Sequence, residues 1–191
     1  MYTNINCDLA IECVQNRWDE IKAHCSIPMT EFLYMLKICI TSTIFQFEED
    51  YYQQIQGLSM GNSVAAVLGE LVMEDFEVSL HKESLFIMLI YRRFVDDVFL
   101  LVHENDIYDL YSVFNSWCPC IQFTLELEQN NCLNFLDMTV VCDENKLFCK
   151  WYGKPTASGR YLNYLSVQPQ IYKRNVVVNL ARRINGLSDE R

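Results

Sequence analysis

The chain has 191 residues with 25 acidic and 15 basic side chains, and its formal charge of -10 excludes a basic footprint covering the whole protein. Apolar residues make up 51% and there are only 6 Gly and 4 Pro, so the disordered, collagen-like and low-complexity classes fall away. What remains is a packed globular chain of about one domain, for which roughly 100–200 residues is the usual length.

Taken in chain order, residues 8 to 24 carry Ile11, Val14, Trp18 and Ile21 at helical spacing, with Asp8 as the expected N-cap. A second helix is expected from about Thr30, after Pro28, with Phe32, Leu36, Cys39 and Ile40 on its apolar face. Phe45-Gln46-Phe47 and Tyr51-Tyr52-Gln53 flank the acidic run Glu48-Glu49-Asp50 and read as a hairpin. The Gly-punctuated loop Gln56-Gly57-Leu58-Ser59-Met60-Gly61-Asn62-Ser63 then opens onto a long helix with Val64, Val67, Leu68, Leu71, Val72 and Phe76 facing inward. Ala65, Ala66 and Gly69 allow close approach to it.

Phe86 to Val102 reads as two apolar strands around Val95-Asp96-Asp97, a tight hairpin with carboxylates at its tip. A short helix follows near Asp106 to Trp117. Phe123, Leu125 and Leu127 then alternate with polar residues as a strand, answered across Gln129-Asn130-Asn131-Cys132 by Leu133 to Val141. A strand from Leu147 to Tyr152, a loop from Gly153 to Arg160 and a helix from about Ile171 to Ile184 complete the chain. The last helix sets Val176, Val177, Leu180 and Ile184 against Lys173, Arg174, Arg182 and Arg183.

Charge is distributed unevenly. Residues 146–191 hold 9 basic and 2 acidic side chains, a local charge of +7, whereas residues 1–145 carry -17. A basic end of this kind can lie along phosphates. The nine cysteines are odd in number, mostly sit within apolar patterns, and lack the paired short spacings of a zinc site, so buried thiols in a reducing compartment are expected. The first residues have neither a basic n-region nor an apolar h-region, and Arg92, Arg93, Asp96 and Asp97 interrupt the longest apolar stretch. An intracellular location, nuclear or cytoplasmic, without a membrane partner is therefore expected.

Adjacent carboxylates on an apolar hairpin repel each other unless a cation sits beside them. Mg2+ or Mn2+ suits such hard oxygen donors and keeps positions open for phosphates, as two-metal phosphoryl transfer requires. Asp96 and Asp97 alone are half of such a site.

Four motifs occur in order: Gln56 to Ser63; Tyr91-Arg92-Arg93-Phe94-Val95-Asp96-Asp97-Val98-Phe99; Leu133-Asn134-Phe135-Leu136-Asp137; and Lys154-Pro155-Thr156 with Arg160-Tyr161-Leu162. In this order, and with Tyr2-Thr3-Asn4-Ile5 ahead of them, the chain resembles the reverse transcriptase of Penelope-like retroelements over nearly its whole length. The resemblance implies an α+β fold: a right-hand polymerase palm with an antiparallel sheet backed by helices (residues 1–145), then a primer-grip hairpin and a basic thumb-like or helix-turn-helix-like segment (146–191).

By that likeness Asp96 and Asp97 bind the metal and are catalytic, while Gln56, Gly57, Met60, Gly61 and Asn62 line the nucleotide and template site. Lys154, Arg160, Lys173, Arg174, Arg182 and Arg183 track the nucleic-acid backbone. The implied partners are an RNA template, a DNA primer and deoxynucleoside triphosphates, and the implied cofactor is Mg2+ or Mn2+. Ser59 and Ser63 stand where the family commonly has proline, and Asn62 where it has a small hydroxyl residue. The first motif's carboxylate would precede Tyr2 by a few residues, upstream of Met1, so primer extension by these 191 residues is expected to be very weak or nil. Two other readings stay open: a non-catalytic nucleic-acid-binding remnant, and a palm-like metal phosphotransferase such as a cyclase.

Overall fold

Asn6, not Asp8, starts the first helix. Its side chain accepts the Asp8 N–H at 2.9 Å, so Asp8 lies inside α1 (Cys7–Asn16), where its charge suits the helix N-terminus. The structure, a computed structural model, describes residues 1–83, 86–144 and 146–188. Instead of one helix to residue 24, α1 ends at Asn16 with Arg17 as its cap, and a single turn, α2 (Trp18–Ile21), follows. Two interactions of Arg17 accompany the break: its N–H closes a tight turn on Val14, while its guanidinium leaves to bind the distant Asp75 at 2.6 Å and Glu74 at 3.2 Å.

α3 (Met29–Thr41) begins after Pro28 and buries Ile40, with Phe32 and Leu36 half-buried against the same core. Cys39 is exposed, contrary to its expected place on the inner face. β1 (Ile44–Phe47) and β2 (Asp50–Gln53) form the expected antiparallel hairpin, with Phe45 stacked on Tyr52. α4 (Ser63–Glu83) buries Ala65, Leu68, Val72, Met73, Phe76 and Leu80; Val67, expected inside, is on the outer side.

The hairpin around the carboxylates also forms, as β3 (Ile90–Phe94) against β4 (Asp97–Leu101). α5 (Ile107–Ser116) then supplies Leu110 and Phe114 to an aromatic cluster in which Phe76 meets Phe114, Trp117 and Phe123 at centroid distances of 5.0, 5.6 and 5.1 Å. The expected strand at 123–128 does not form. The Asn115 side chain accepts the Phe123 N–H at 2.7 Å and donates to the Phe123 carbonyl at 3.3 Å, so the ladder groups of that residue are already used.

Two compact units result, 1–125 and 126–191. The first has two hydrophobic clusters. One gathers Ile5, Ala10, Cys13, Val14, Ile40, Leu58, Leu68, Val72 and Ile121 around α1, α3 and α4; the other gathers Met73, Phe76, Leu80, Leu110 and Phe114 beneath the β3–β4 hairpin. The division falls at residue 125, whereas the charge changes sign near 145, because β5 (Cys132–Phe135), β6 (Met138–Asp143) and β7 (Lys146–Trp151) make one antiparallel sheet in the second unit. The tight turn at Asn130-Asn131 forms, but Leu133 to Val141 does not answer residues 123–127. It folds on itself at Leu136-Asp137, with Leu136 at φ +56°.

α6 (Gln170–Gly186) follows, and the Ser188 hydroxyl accepts the Trp151 N–H at 3.2 Å. Val176, Leu180 and Ile184 are half-buried, but Val177 is exposed. The chain is thus mixed α+β with small antiparallel sheets and helices; among the described residues no helix is long and apolar enough to cross a membrane. Buried thiols were expected throughout, yet among the free cysteines only Cys13 is buried, and Cys118 and Cys120 are joined as a disulfide.

Gly57 adopts φ +77°, and a Cβ there would lie 2.1 Å from the Thr3 carbonyl oxygen; the Leu58 N–H donates to the Tyr2 carbonyl at 2.8 Å. A Cβ at Gly69 would lie 2.5 Å from the Tyr2 ring. The first turn of the chain is therefore held between the 56–63 loop and α4. Gly57→Ala is expected to lower the stability of the first unit by roughly 2–4 kcal/mol, combining left-handed strain with a backbone clash, as read by urea unfolding.

Candidate active site

The pleat of β3–β4 sorts its side chains onto two faces. Tyr91 opposite Leu100 and Arg93 opposite Val98 point toward α4 and the aromatic cluster, while Arg92 opposite Phe99 and Phe94 opposite Asp97 point away. Val95-Asp96 is a two-residue turn, and Val95 sits at φ +59°, a left-handed conformation that strains a β-branched residue by on the order of 1–3 kcal/mol. The turn therefore presents Asp96 at the tip and Asp97 at the start of β4, both exposed.

What holds this tip is Arg93, a residue the sequence reading quoted without a role. Its guanidinium, 9% exposed, meets Glu70 in a two-pronged pair at 2.8 and 2.9 Å, while its Nε donates to Glu77 at 2.6 Å. A further N–H reaches the Val95 carbonyl at 3.2 Å, stabilising the strained turn directly. Tyr91 donates its hydroxyl to Glu77 at 2.9 Å. Glu70 and Glu77 are two helical turns apart on α4 and so share a face. That spacing, with Tyr91 and Arg93 alternating on a strand, was the available signal. The Arg93 hydrogen bonds hold the Glu70 carboxyl below its usual range, while burial, followed by the Glu77 hydrogen bond, pushes the Tyr91 phenol upward.

The α-amino nitrogen of Met1 lies 3.6 Å from the Asp96 carboxylate. Asp96 and Asp97 offer the hard oxygen donors that Mg2+ or Mn2+ accepts. Among the described residues no group of three His, Cys, Asp or Glu side chains gathers to hold a metal ion.

The expected nucleotide and template loop divides into two kinds of residue. Gly57 is packed on Thr3. Asn62 donates to the Cys39 carbonyl at 3.0 Å and accepts the Val64 N–H at 3.0 Å, joining α3 to the start of α4. Gln56, Met60 and Gly61 are exposed. The basic residues of the second unit divide likewise. Lys173 donates to the carbonyls of Tyr164 and Ser166 at 2.5 and 2.6 Å and lies over the Tyr164 ring; Arg183 pairs with Asp137. Lys154, Arg160, Arg174 and Arg182 are exposed. The single cationic face expected of α6 is thus split: Lys173 and Arg183 flank the inward stripe, and Arg174 and Arg182 stand on the outer side.

Arg93→Met is expected to cost about 2–4 kcal/mol, because Glu70 and Glu77 lose their cation and Glu70 is only half exposed; Arg93→Lys recovers part of this without the fork. Since the folded-state pKa of Glu70 is depressed, its contribution is present above the unfolded value of 4.5 and is lost as pH falls through the folded one. Unfolding curves taken from pH 6 downward should therefore fall less steeply in Arg93→Met than in the parent. No family model, curated protein or solved structure matches this chain.

Proposed function

We propose that the chain is part of an RNA-directed DNA polymerase of the Penelope-like kind, its first unit carrying palm elements and its second carrying the basic end. The observation that supports this most is the strained β3–β4 turn, which presents Asp96 and Asp97 from a hairpin clamped to α4, with Met1 beside Asp96 at 3.6 Å. A residue just ahead of Met1 would enter next to Asp96, on the side where the resemblance puts the first motif's carboxylate. Three carboxylates from two segments would then face one cation site. A divalent metal bound there would stabilise charge on the transferred phosphoryl group. The residues of this chain hold the two carboxylates in place, and Arg93 keeps their turn closed.

The outer cations of the second unit, Arg174 and Arg182 on α6 with Lys154 and Arg160 in the preceding loop, are the ones suited to phosphate contacts. Lys173 and Arg183 serve the unit's own packing.

Primer extension by the 191-residue chain is expected to be very weak or nil. A chain lengthened upstream to include the first motif should extend a DNA primer on an RNA template with Mg2+, and Asp96→Ala or Asp97→Ala in it should abolish extension; full activity in either variant would remove the assignment. In RNA-binding titrations across salt concentrations, Arg174→Gln and Arg182→Gln should each weaken binding for every sequence and lower the salt slope by about 1. Turnover of a nucleotide with neither primer nor template would favour a cyclase-like phosphotransferase instead.

A further inference from the structure

The turn that joins the two clusters of the first unit carries a feature outside the candidate site. α5 ends at Ser116, and Trp117-Cys118-Pro119-Cys120-Ile121-Gln122-Phe123 returns the chain to the core. Trp117 packs against both clusters, Ile121 is buried in the first, and Cys120 packs against it. Between these anchors Cys118 and Cys120 form a disulfide across an exposed Pro119. Both cysteines are half-buried rather than enclosed in the core.

The turn does not depend on the bond alone. The Ile121 N–H donates to the Cys118 carbonyl at 3.1 Å, Gln122 donates to the same carbonyl at 3.3 Å, and Asn115 holds Phe123 through both backbone groups. With the bridge opened, the two sulfurs therefore stay neighbours and are set to close again. A single intervening residue also keeps their effective concentration high, and an accessible bridge between near neighbours is of the exchangeable rather than the permanent kind.

We propose that Cys118 and Cys120 are a reversible dithiol–disulfide pair that exchanges with small-molecule thiols of the glutathione class. In the reductive direction a glutathione thiolate attacks one Sγ, the Cys–Cys bond breaks, and the released cysteine thiolate takes a proton. A second glutathione thiolate then attacks the mixed disulfide, giving the second cysteine thiol and oxidised glutathione. Two electrons pass from two glutathiones to the bridge, and the reverse sequence closes it. Because Trp117 packs against both clusters, and the second lies beneath β3–β4, the pair sits one residue from the packing that supports Asp96 and Asp97.

The test equilibrates the 191-residue chain in glutathione buffers from fully reduced to fully oxidised, quenches with acid and labels with N-ethylmaleimide. The chymotryptic peptide Cys118–Phe123, which contains these two cysteines and no others, is then weighed. It should carry two labels in the reduced buffers and none in the oxidised ones, with the same curve reached from either direction. A Trp18→Phe/Trp151→Phe chain, whose remaining indole is Trp117, should show a fluorescence change along that curve which vanishes when Cys118→Ser and Cys120→Ser are added. Two labels in every buffer, none in any, or linkage of this peptide to another cysteine would each overturn the proposal.

Discussion

The Arg93 guanidinium, 9% exposed between Glu70 and Glu77, is the interaction on which the candidate site depends. A two-stranded hairpin is marginal in water by itself, and this one ends in two adjacent carboxylates and a left-handed valine, each of which works against it. Arg93 offsets the first and the last of these. It binds the strand to a 21-residue helix and satisfies the Val95 carbonyl in the strained turn. Tyr91 repeats the attachment one pleat away through Glu77, and Val98 and Leu100 pack onto the second hydrophobic cluster from the same face.

A second constraint brings the beginning of the chain to the same place. Residues 1–5 are not a loose terminus: Ile5 is fully buried, Tyr2 lies against Gly69, and Thr3 lies against Gly57. The 56–63 loop and α4 meet over this turn, which explains why two of the loop's residues, Gly57 and Asn62, are committed to backbone approach and helix capping. Gln56, Met60 and Gly61, by contrast, stay exposed. In the second unit Lys173 and Arg183 are committed in the same way, to carbonyls and to Asp137. Side chains that look like a binding surface in a list of residues thus separate into those that build the scaffold and those that face outward from it.

The elements that were legible in the sequence are those whose side-chain period and turn chemistry agree: α3, α4, α5, α6 and the β1–β2 and β3–β4 hairpins. Their local pattern and their tertiary partners ask for the same conformation. Where the two disagree, the sequence misleads. Phe123, Leu125 and Leu127 alternate as a strand should, but the Asn115 side chain takes both backbone groups of Phe123 and no partner strand is at hand. Residues 8 to 24 keep a helical period past Arg17, but Glu74 and Asp75, far along the chain, draw that arginine out of the helix line. Val67, Val177 and Cys39 fit apolar stripes by spacing and are nevertheless exposed, because a stripe read from period alone is wider than the face its neighbours cover.

By itself the sequence determined that the chain is an α+β globule of antiparallel hairpins and amphipathic helices, that Asp96-Asp97 stands at a hairpin tip, and that positive charge collects after residue 145. These are local properties, set by side-chain period, turn residues and charge count. Only the tertiary structure decided that Arg93 carries the hairpin, that Met1 lies beside Asp96, that Lys173 binds two carbonyls and Arg183 binds Asp137, and that Cys118 is bonded to Cys120. Most of these join residues distant in the chain, whose pairing depends on how helices and strands stack. The bond between two near neighbours depends on the anchors that shape their turn, which side-chain period alone does not specify.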